Sequence, residues 1–411
     1  MKEKKRIAII GAGAAACFAA ANIPRGADCE VVVFEKTGKA LQKVKVSGGG
    51  RCNVTHACFE IPELVKRYPR GGKLLKKSLH HFSPKDTIDW FAARGVAIKQ
   101  EGDGRMFPVT DSSQTIIDCL LAAMEAAGAD IRYHHAVKAV SRAGKGFEIV
   151  FENGGSYAAD KVMLAAGSIL KPEAFAWLKD MGHTIEPAAP SLFTFNVPAN
   201  PVTSLMGLSV DDATVRIEGT KIAQRGPVLI THWGFSGPAV LRASAWGAKV
   251  LQDKGYDFTA LINWLGDTTD AAARDAFDAA RHANGKSLVM NKNPFGLPKR
   301  LWEHLSARSG VKDEMRWAEM PAVVAKALLQ SLTTDRYAVR GKTTYKEEFV
   351  TCGGVSTAEV NPQTMESRLA AGLHFGGECL NVDGITGGYN FQHAWCSGFL
   401  AGKSMIAPDG E

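Results

Sequence analysis

A doubly wound α/β fold, its sheet drawn from two sequence segments and interrupted by an insert, is predicted by three observations. An apolar strand at residues 7–10 runs into a Gly-rich turn and an alanine-rich helix ending near Asn22. The same strand, small-residue turn and helix return after about residue 345. Between about 190 and 344 that rhythm gives way to short alternating strands and then to amphipathic helices.

Length and composition bound the reading. At roughly 150 residues per domain, a chain of 411 residues holds two or three domains. Hydrophobic residues at 45% and charged residues at 22% exclude disorder as the main state. No apolar stretch approaches the ~18 uncharged residues of a membrane span, and glycines rather than a cleavage site break the opening run. No signal peptide or anchor is therefore expected, and the reading is cytoplasmic. The eight cysteines form no Cys-x-x-Cys pair and the eleven histidines no His-x-x-x-His pair. Neither a metal centre nor a dithiol centre is expected, and free thiols in a reducing compartment follow.

The net charge of +7 is concentrated at the N-terminal end, where residues 1–80 hold 16 Lys and Arg against 6 Asp and Glu. Around Lys66 to Lys77 this reads either as a surface for an anionic partner, such as a phosphate-bearing ligand or a nucleic acid, or as a solvated basic helix.

The strongest local signal is Gly11-Ala12-Gly13-Ala14-Ala15-Ala16, with a strand before it, a helix after it and a second strand at 30–34 ending in Glu35. This is a dinucleotide fingerprint in its required context. Gly11 allows the tight turn, Gly13 admits a pyrophosphate, Ala16 keeps helix and sheet close, and the helix N-terminus favours phosphate. Glu35 is placed to accept ribose hydroxyls, which disfavours a 2′-phosphate and leaves FAD or NAD(H). Ser47-Gly48-Gly49-Gly50-Arg51-Cys52-Asn53 follows; three glycines cannot hold a helix or strand interior, so the run is either a ligand-hugging loop or a flexible one.

From 60 to 130 the pattern is helical. Ser83 caps and Pro84 opens one helix, and a second runs from about Ser113 to Ala127 and stops at Gly128. Strands follow at about 130–133, 136–141 and 147–151, then an apolar run from 160 empties into Ala165-Ala166-Gly167. A domain boundary is placed near 190. In the insert, Thr231 to Pro238 joins a strand to a helix at 239–246, and residues 268–333 read as three helices, one starting at Pro298 and one spanning about 313–332. The α/β pattern resumes with a strand at 349–354, another at 373–378 ending at Glu378, and Asp383 to Asn390 leading into a helix from about Phe391 to Met405.

These residues carry a resemblance. SGGGRCN, THWGFSGP, the FVTCGGV run through Thr364 to Ser367, and GECLNVDGITGGYNFQHAWCSGFLAG are similar to the BaiN-like (YhiN-like) flavoproteins, a family that includes enzymes described as aminoacetone oxidases and bile-acid reductases. The resemblance spans almost the whole chain. It implies a Rossmann-like FAD-binding domain at 1–190 and 345–411, with an insert that is β-barrel-like at 191–265 and helical at 266–335. Carried over by position, Gly11, Ala12, Gly13, Ala14 and Ala15 would meet FAD in the first turn, with Glu35, Lys36 and Lys43 after it. Ser47, Gly48, Gly49, Arg51, Cys52 and Asn53 would follow, then Val137, Ala165, Ala166 and Gly167. The C-terminal contacts would be Gly377, Glu378, Asp383, Gly387, Gly388, Tyr389, Asn390 and Gln392. Two stretches depart from the family pattern: Ser168 to Phe175, and Asn381 where many members have Asp.

The expected function is an FAD-dependent oxidoreductase acting on a small molecule, with NAD(P)H a transient visitor if it is the reductant, since there is only one fingerprint. Oxidation of an amine by O₂ is the alternative chemistry; an RNA-modifying flavoprotein and a flavin-holding sensor are alternative classes. Neither a nucleic-acid nor a membrane partner is expected. No nucleophile with its base is recognisable, and His232, Tyr389 and His393 are the candidates for acid or base, each also readable as packing. The insert is expected to cap the flavin, with His232 and Phe235 facing substrate.

Overall fold

Strand Lys5–Ile10 is buried over its last four residues, and it pairs in parallel with Cys29–Phe34 on one side and Lys161–Leu164 on the other. Both faces of such a strand are covered, so it reads as a continuous apolar run. Asp130–Arg132 and Leu373–Phe375 complete a five-stranded parallel sheet. A computed structural model describes residues 4–343 and 350–407 of the chain. It divides into two units, residues 1–190 with 345–411, and residues 191–344.

In the first unit, Ala14–Ala21 and Tyr389–Ile406 pack at backbone contact. A Cβ on Gly398 would lie 2.4 Å from the Ala15 carbonyl oxygen, and one on Gly402 would lie 2.6 Å from that of Ala19. The C-terminal helix therefore fixes where the first helix begins. Helix Ser113–Ala127 also packs on the first helix and ends at Gly128 with φ +80°. An antiparallel meander of Val137–Ala143, Gly146–Phe151 and Ser156–Ala159 brings Phe151 and Tyr157 onto Phe34, at 4.8 and 5.2 Å between ring centroids. The expected cap at Ser83 is present, with Asp86 answering from the third helical position as a capping box. The first and last segments also meet in an antiparallel pair, Ile185–Pro190 with Thr351–Val355. The start of the strand expected at 349–354 lies outside the described residues.

The second unit is a seven-stranded sheet plus helices. Its outermost strands, Asp335–Arg340 and Lys342–Thr343, are separated along the chain by Gly341 alone, so the sheet must curl to bring its two edges together. Trp264, Trp302, Trp317 and Tyr337 fill its core. Asp335 is buried there beneath the Trp264 indole N–H at 3.0 Å, the Tyr337 hydroxyl and Arg308, and burial raises its pKa.

Three expectations for this unit are corrected. The helix expected over about 313–332 is instead a short turn, Trp317–Glu319, followed by helix Ala322–Thr333. Pro321 is the reason: it pushes Met320 into an extended conformation, ψ 120°, and the helix restarts after it. The helix expected to stop at Trp246 continues as Pro238–Asp253, because no breaker intervenes and Gly247 packs on Ile217 and Leu251. Phe235 faces the core against Tyr337 and Trp264 rather than a substrate, while His232 is exposed.

Among the described residues no helix is long and apolar enough to cross a membrane, and no cluster of His, Cys, Asp and Glu could hold a metal ion. All eight cysteines are free thiols.

Candidate cofactor site

Strand register sets the site out in a row. Ile10 pairs with both Phe34 and Leu164, and Leu164 pairs with Phe375. The residues that follow, Gly11, Glu35, Ala165 and Gly376, consequently leave the sheet side by side at its carboxyl edge, where ligands of open α/β sheets bind.

At Gly11, φ is +96° and a Cβ would sit 2.7 Å from the Ala165 carbonyl oxygen, so only glycine fits. Gly13 differs, because a Cβ there would meet nothing closer than 4.0 Å. It caps the first helix with no side chain closing the end, which leaves room for a ligand to approach the helix N-terminus. Ala12 and Ala15 are buried behind the turn. Ala14, the first helical residue, is partly exposed on it.

Glu35 is held by three donors. Its Oε2 accepts the Ala12 N–H at 2.9 Å, and its Oε1 accepts the Thr37 N–H and hydroxyl, each at 2.8 Å. Oε2 keeps acceptor capacity on a partly exposed side chain, which suits a ribose hydroxyl. His135 donates its N–H to the Glu35 carbonyl at 2.9 Å and so brings Val137, two residues on, towards this end of the sheet. Lys36 is exposed, and Lys43, in the first turn of the helix that begins at Gln42, pairs with Glu378 just after the last strand of the sheet. Glu378 also accepts the Thr351 N–H at 3.1 Å.

The SGGGRCN run breaks a helix as expected. Ser47 turns extended at ψ 148°, and Gly48, Gly49 and Gly50 take φ of +58°, +68° and +83°. Ser47 donates its hydroxyl to the Val44 carbonyl at 2.8 Å. Cys52 is buried at φ +60°, a left-handed conformation costly outside glycine, and burial pushes its thiol up to about 12. With its amide oriented to satisfy both bonds, Asn53 accepts the Gly388 N–H and donates to the Thr55 carbonyl, each at 3.0 Å. That pair ties the first glycine loop to the C-terminal one across more than 300 residues.

Gly388 caps the C-terminal helix at φ +91°, again with no side-chain cap, and a Cβ there would lie 2.5 Å from the Thr55 carbonyl oxygen. Beside it Tyr389 stacks on His56, with centroids 4.8 Å apart and planes 18° apart, and accepts the Tyr68 hydroxyl at its carbonyl oxygen at 2.7 Å. Asn390 closes the turn, accepting the Gly384 N–H at 2.8 Å and donating to the Gly384 carbonyl at 2.9 Å. The Gly377 N–H donates to Ser397 at 2.9 Å, and His393 donates from Nε2 to the Gly377 carbonyl at 3.1 Å. Burial holds His393 neutral, lowering its pKa to about 4.

The side chains of three expected contact residues are engaged elsewhere in the protein. Arg51 lies 4.0 Å over the Phe107 ring and donates to Glu101 at 2.6 Å. Asp383 is fully buried in a two-pronged pair with Arg70. Gln392 is buried, accepting the hydroxyls of Thr55 at 2.7 Å and Thr87 at 2.9 Å. These side chains brace the loops. Arg70, Tyr68, His56 and Ser397 were not anticipated; the first two sit in a run that reads as basic surface. The departure at Asn381 is accommodated, because its amide oxygen accepts the Gly353 N–H at 3.1 Å, which a carboxylate could equally do.

The Thr364 to Ser367 stretch holds a triad-like set: Ser367 lies 2.9 Å from His183 Nε2, and His183 Nδ1 lies 3.1 Å from Glu359. It does not make a nucleophile. The Ser367 oxygen is buried and already accepts the Leu369 and Ala370 N–H groups at 3.0 and 2.8 Å, which occupies the lone pairs that attack would need.

The chain matches the HI0933-like protein Rossmann domain over residues 5–404 and belongs to that family. It is 31% identical to a ribosomal RNA dihydrouridine synthase of Escherichia coli, over 97% of each chain. It is 28% identical to a 3-dehydro-bile acid delta(4,6)-reductase of Clostridium scindens, over 97% of this chain and 98% of the relative. Among solved structures, a 3-ketosteroid-delta4-(5alpha)-dehydrogenase from Rhodococcus jostii aligns with a TM-score of 0.53 at 13% identity, covering 99% of this chain and 98% of that one. That likeness is one of fold.

Proposed function

We propose that this member of the HI0933-like family, an FAD-dependent oxidoreductase, reduces a carbon–carbon double bond conjugated to a carbonyl group, with NAD(P)H as donor. The observation that carries this is the glycine-lined row at the carboxyl edge of the sheet, closed by a second glycine-capped helix. The relatives' names supply the bond. A uridine reduced to dihydrouridine and a steroid acid reduced at delta-4,6 are both reductions of such a double bond.

FAD, when bound, supplies the two-electron relay between donor and acceptor. The net reaction takes NAD(P)H, a proton and the double bond to NAD(P)⁺ and the saturated pair of carbons. The chain's own work is positioning. Glu35 would hold the ribose, the N-terminus of Ala14–Ala21 the pyrophosphate, and the Gly388-capped end of Tyr389–Ile406 the ring. His393 is neutral, buried and committed to Gly377, so it holds that loop and does not donate the proton.

Anaerobic reduction tests the reading. NADH or NADPH should bleach the bound flavin, and a conjugated enone or a uracil-containing RNA should restore the colour with formation of the saturated product. Bleaching by an amine and not by either nicotinamide, with hydrogen peroxide formed in air, would instead establish an amine oxidase.

A further inference from the structure

We propose that the exposed cationic face of residues 66–85 is a docking surface for single-stranded RNA, which holds a target base at the site. This deepens the reading above and rests on it.

The first observation is charge. Residues 59–85 hold seven Lys and Arg against two Glu. Two of the seven are neutralised: Lys66 pairs with Glu63, and Arg70 with buried Asp383. Helix Gly72–Ser78 turns Leu74, Leu75 and Ser78 inward and leaves Lys73, Lys76 and Lys77 exposed, as is Lys85 at the start of the next helix. Among the described residues these four lysines make no ion pair. Elsewhere in the same unit, Lys43, Arg51, Lys99, Arg105 and Arg132 are all paired. Among the described residues, Lys73, Lys76 and Lys77 thus place three cations without an ion pair on the exposed face of one seven-residue helix.

The second observation is an aromatic. Phe59 is 49% exposed and makes no ring contact among the described residues. It lies just before helix Ile61–Val65, which packs on Gly72–Ser78. Cations that track phosphates together with an aromatic on which a base can stack are what single-stranded nucleic acid requires. An anionic membrane could use the same charge and ring, so vesicles are an arm of the test below, and it is the registration that follows that favours a strand.

The third observation is registration. This segment is fastened to the C-terminal turn of the cofactor site. Arg70 pairs with Asp383, the Ile385 N–H donates to the Arg67 carbonyl at 3.0 Å, and Tyr68 donates to the Tyr389 carbonyl at 2.7 Å. A strand docked on the lysines is therefore held at a fixed offset from Gly387 and Gly388.

The test is binding of a fluorescent uridine-containing single-stranded RNA to the flavin-loaded protein across a salt series. The comparison is with the triple variant Lys73→Gln, Lys76→Gln, Lys77→Gln and with Phe59→Ala. Each lost phosphate contact should make the slope of log affinity against log salt shallower by about 0.7, so the triple variant should lose about 2 from its slope. Phe59→Ala should weaken binding at least roughly fivefold with the slope unchanged. In all variants, bound flavin and its rate of reduction by NAD(P)H should match wild type. No RNA binding by wild type at about 50 mM salt, or an unaltered slope in the triple variant, would overturn the proposal. So would binding to vesicles containing anionic phospholipid without binding to RNA. RNA binding that follows this pattern, in a protein whose flavin no nicotinamide reduces, would keep the docking surface and remove the reductase.

Discussion

The two halves of the candidate cofactor site are built on opposite principles. The N-terminal half, residues 7–35, is made by neighbours in sequence: a strand, a turn whose second glycine faces open space, an uncapped helix and a carboxylate at the end of the next strand. The C-terminal half, residues 373–392, is held by partners from far along the chain: Asp383 by Arg70, Gln392 by Thr55 and Thr87, Gly388 by Asn53, Tyr389 by Tyr68. The first half is core in its strands and helix, but its turn at Gly13 is open and shaped for a ligand. The second is packing and site at once, so damage to it should reach stability as well as cofactor.

The largest expected effect separates the two. Gly13→Val puts a side chain where the proposed site would hold the phosphates but meets no close protein atom, so FAD affinity should fall by roughly 100-fold or more, at least about 2.8 kcal/mol, with the apoprotein's unfolding unchanged. Gly388→Val drives a Cβ into the Thr55 carbonyl at φ +91° and should cost about 2–4 kcal/mol of fold stability as well as FAD. Urea unfolding of the two apoproteins checks this; equal destabilisation would erase the distinction.

Acid should act on the C-terminal half too. Burial lowers His393 to about 4 and His374, in the last strand of the sheet, to about 3. Both bind a proton near 6.5 when unfolded, so the unfolded chain takes up more protons as pH falls below that value. Their contribution is complete above about 6.5 and is lost as pH falls towards 4, on the order of 3 kcal/mol for His393. His393→Asn, which can still donate to the Gly377 carbonyl, should flatten that decline. A stability curve unchanged by the substitution would show that His393 is not its source.

A smaller effect concerns the flavin's potential. If the Gly388-capped helix end faces the ring, its N–H groups stabilise reduced flavin by about 0.3–2 kcal/mol. Phe391→Pro removes one of those donors and should lower the reduction potential in protein that still binds FAD. An unchanged potential would detach the helix from the ring. The smallest effect is expected at Cys52. Its thiol is buried and held protonated, so Cys52→Ser should leave flavin reduction intact, with two electrons and not four taken up in titration.

The same contrast explains what was legible in the sequence. The turn at Gly11 and Gly13 and the strand end at Glu35 could be read directly, because turn geometry and strand ends are local. The capping box at Ser83 and the stop at Gly128 were legible for the same reason. Arg51, Asp383 and Gln392 hold protein partners, Glu101, Arg70 and Thr55, that no spacing rule could supply. Periodicity ran through Pro321 and merged a turn with a helix. Phe235 was expected to face substrate because the turn from Thr231 to Pro238 must face something; strand Gly234–Ser236 instead pairs within the seven-stranded sheet and sets Phe235 on Tyr337 and Trp264 in the core.

The most direct test of a glycine-built FAD site is the absorption spectrum of the purified protein and of the supernatant after acid denaturation, beside the Gly13→Val variant. Wild type should be yellow and release intact, non-covalent FAD, and the variant should be folded and colourless. A colourless wild type that takes up NAD but not FAD would contradict it.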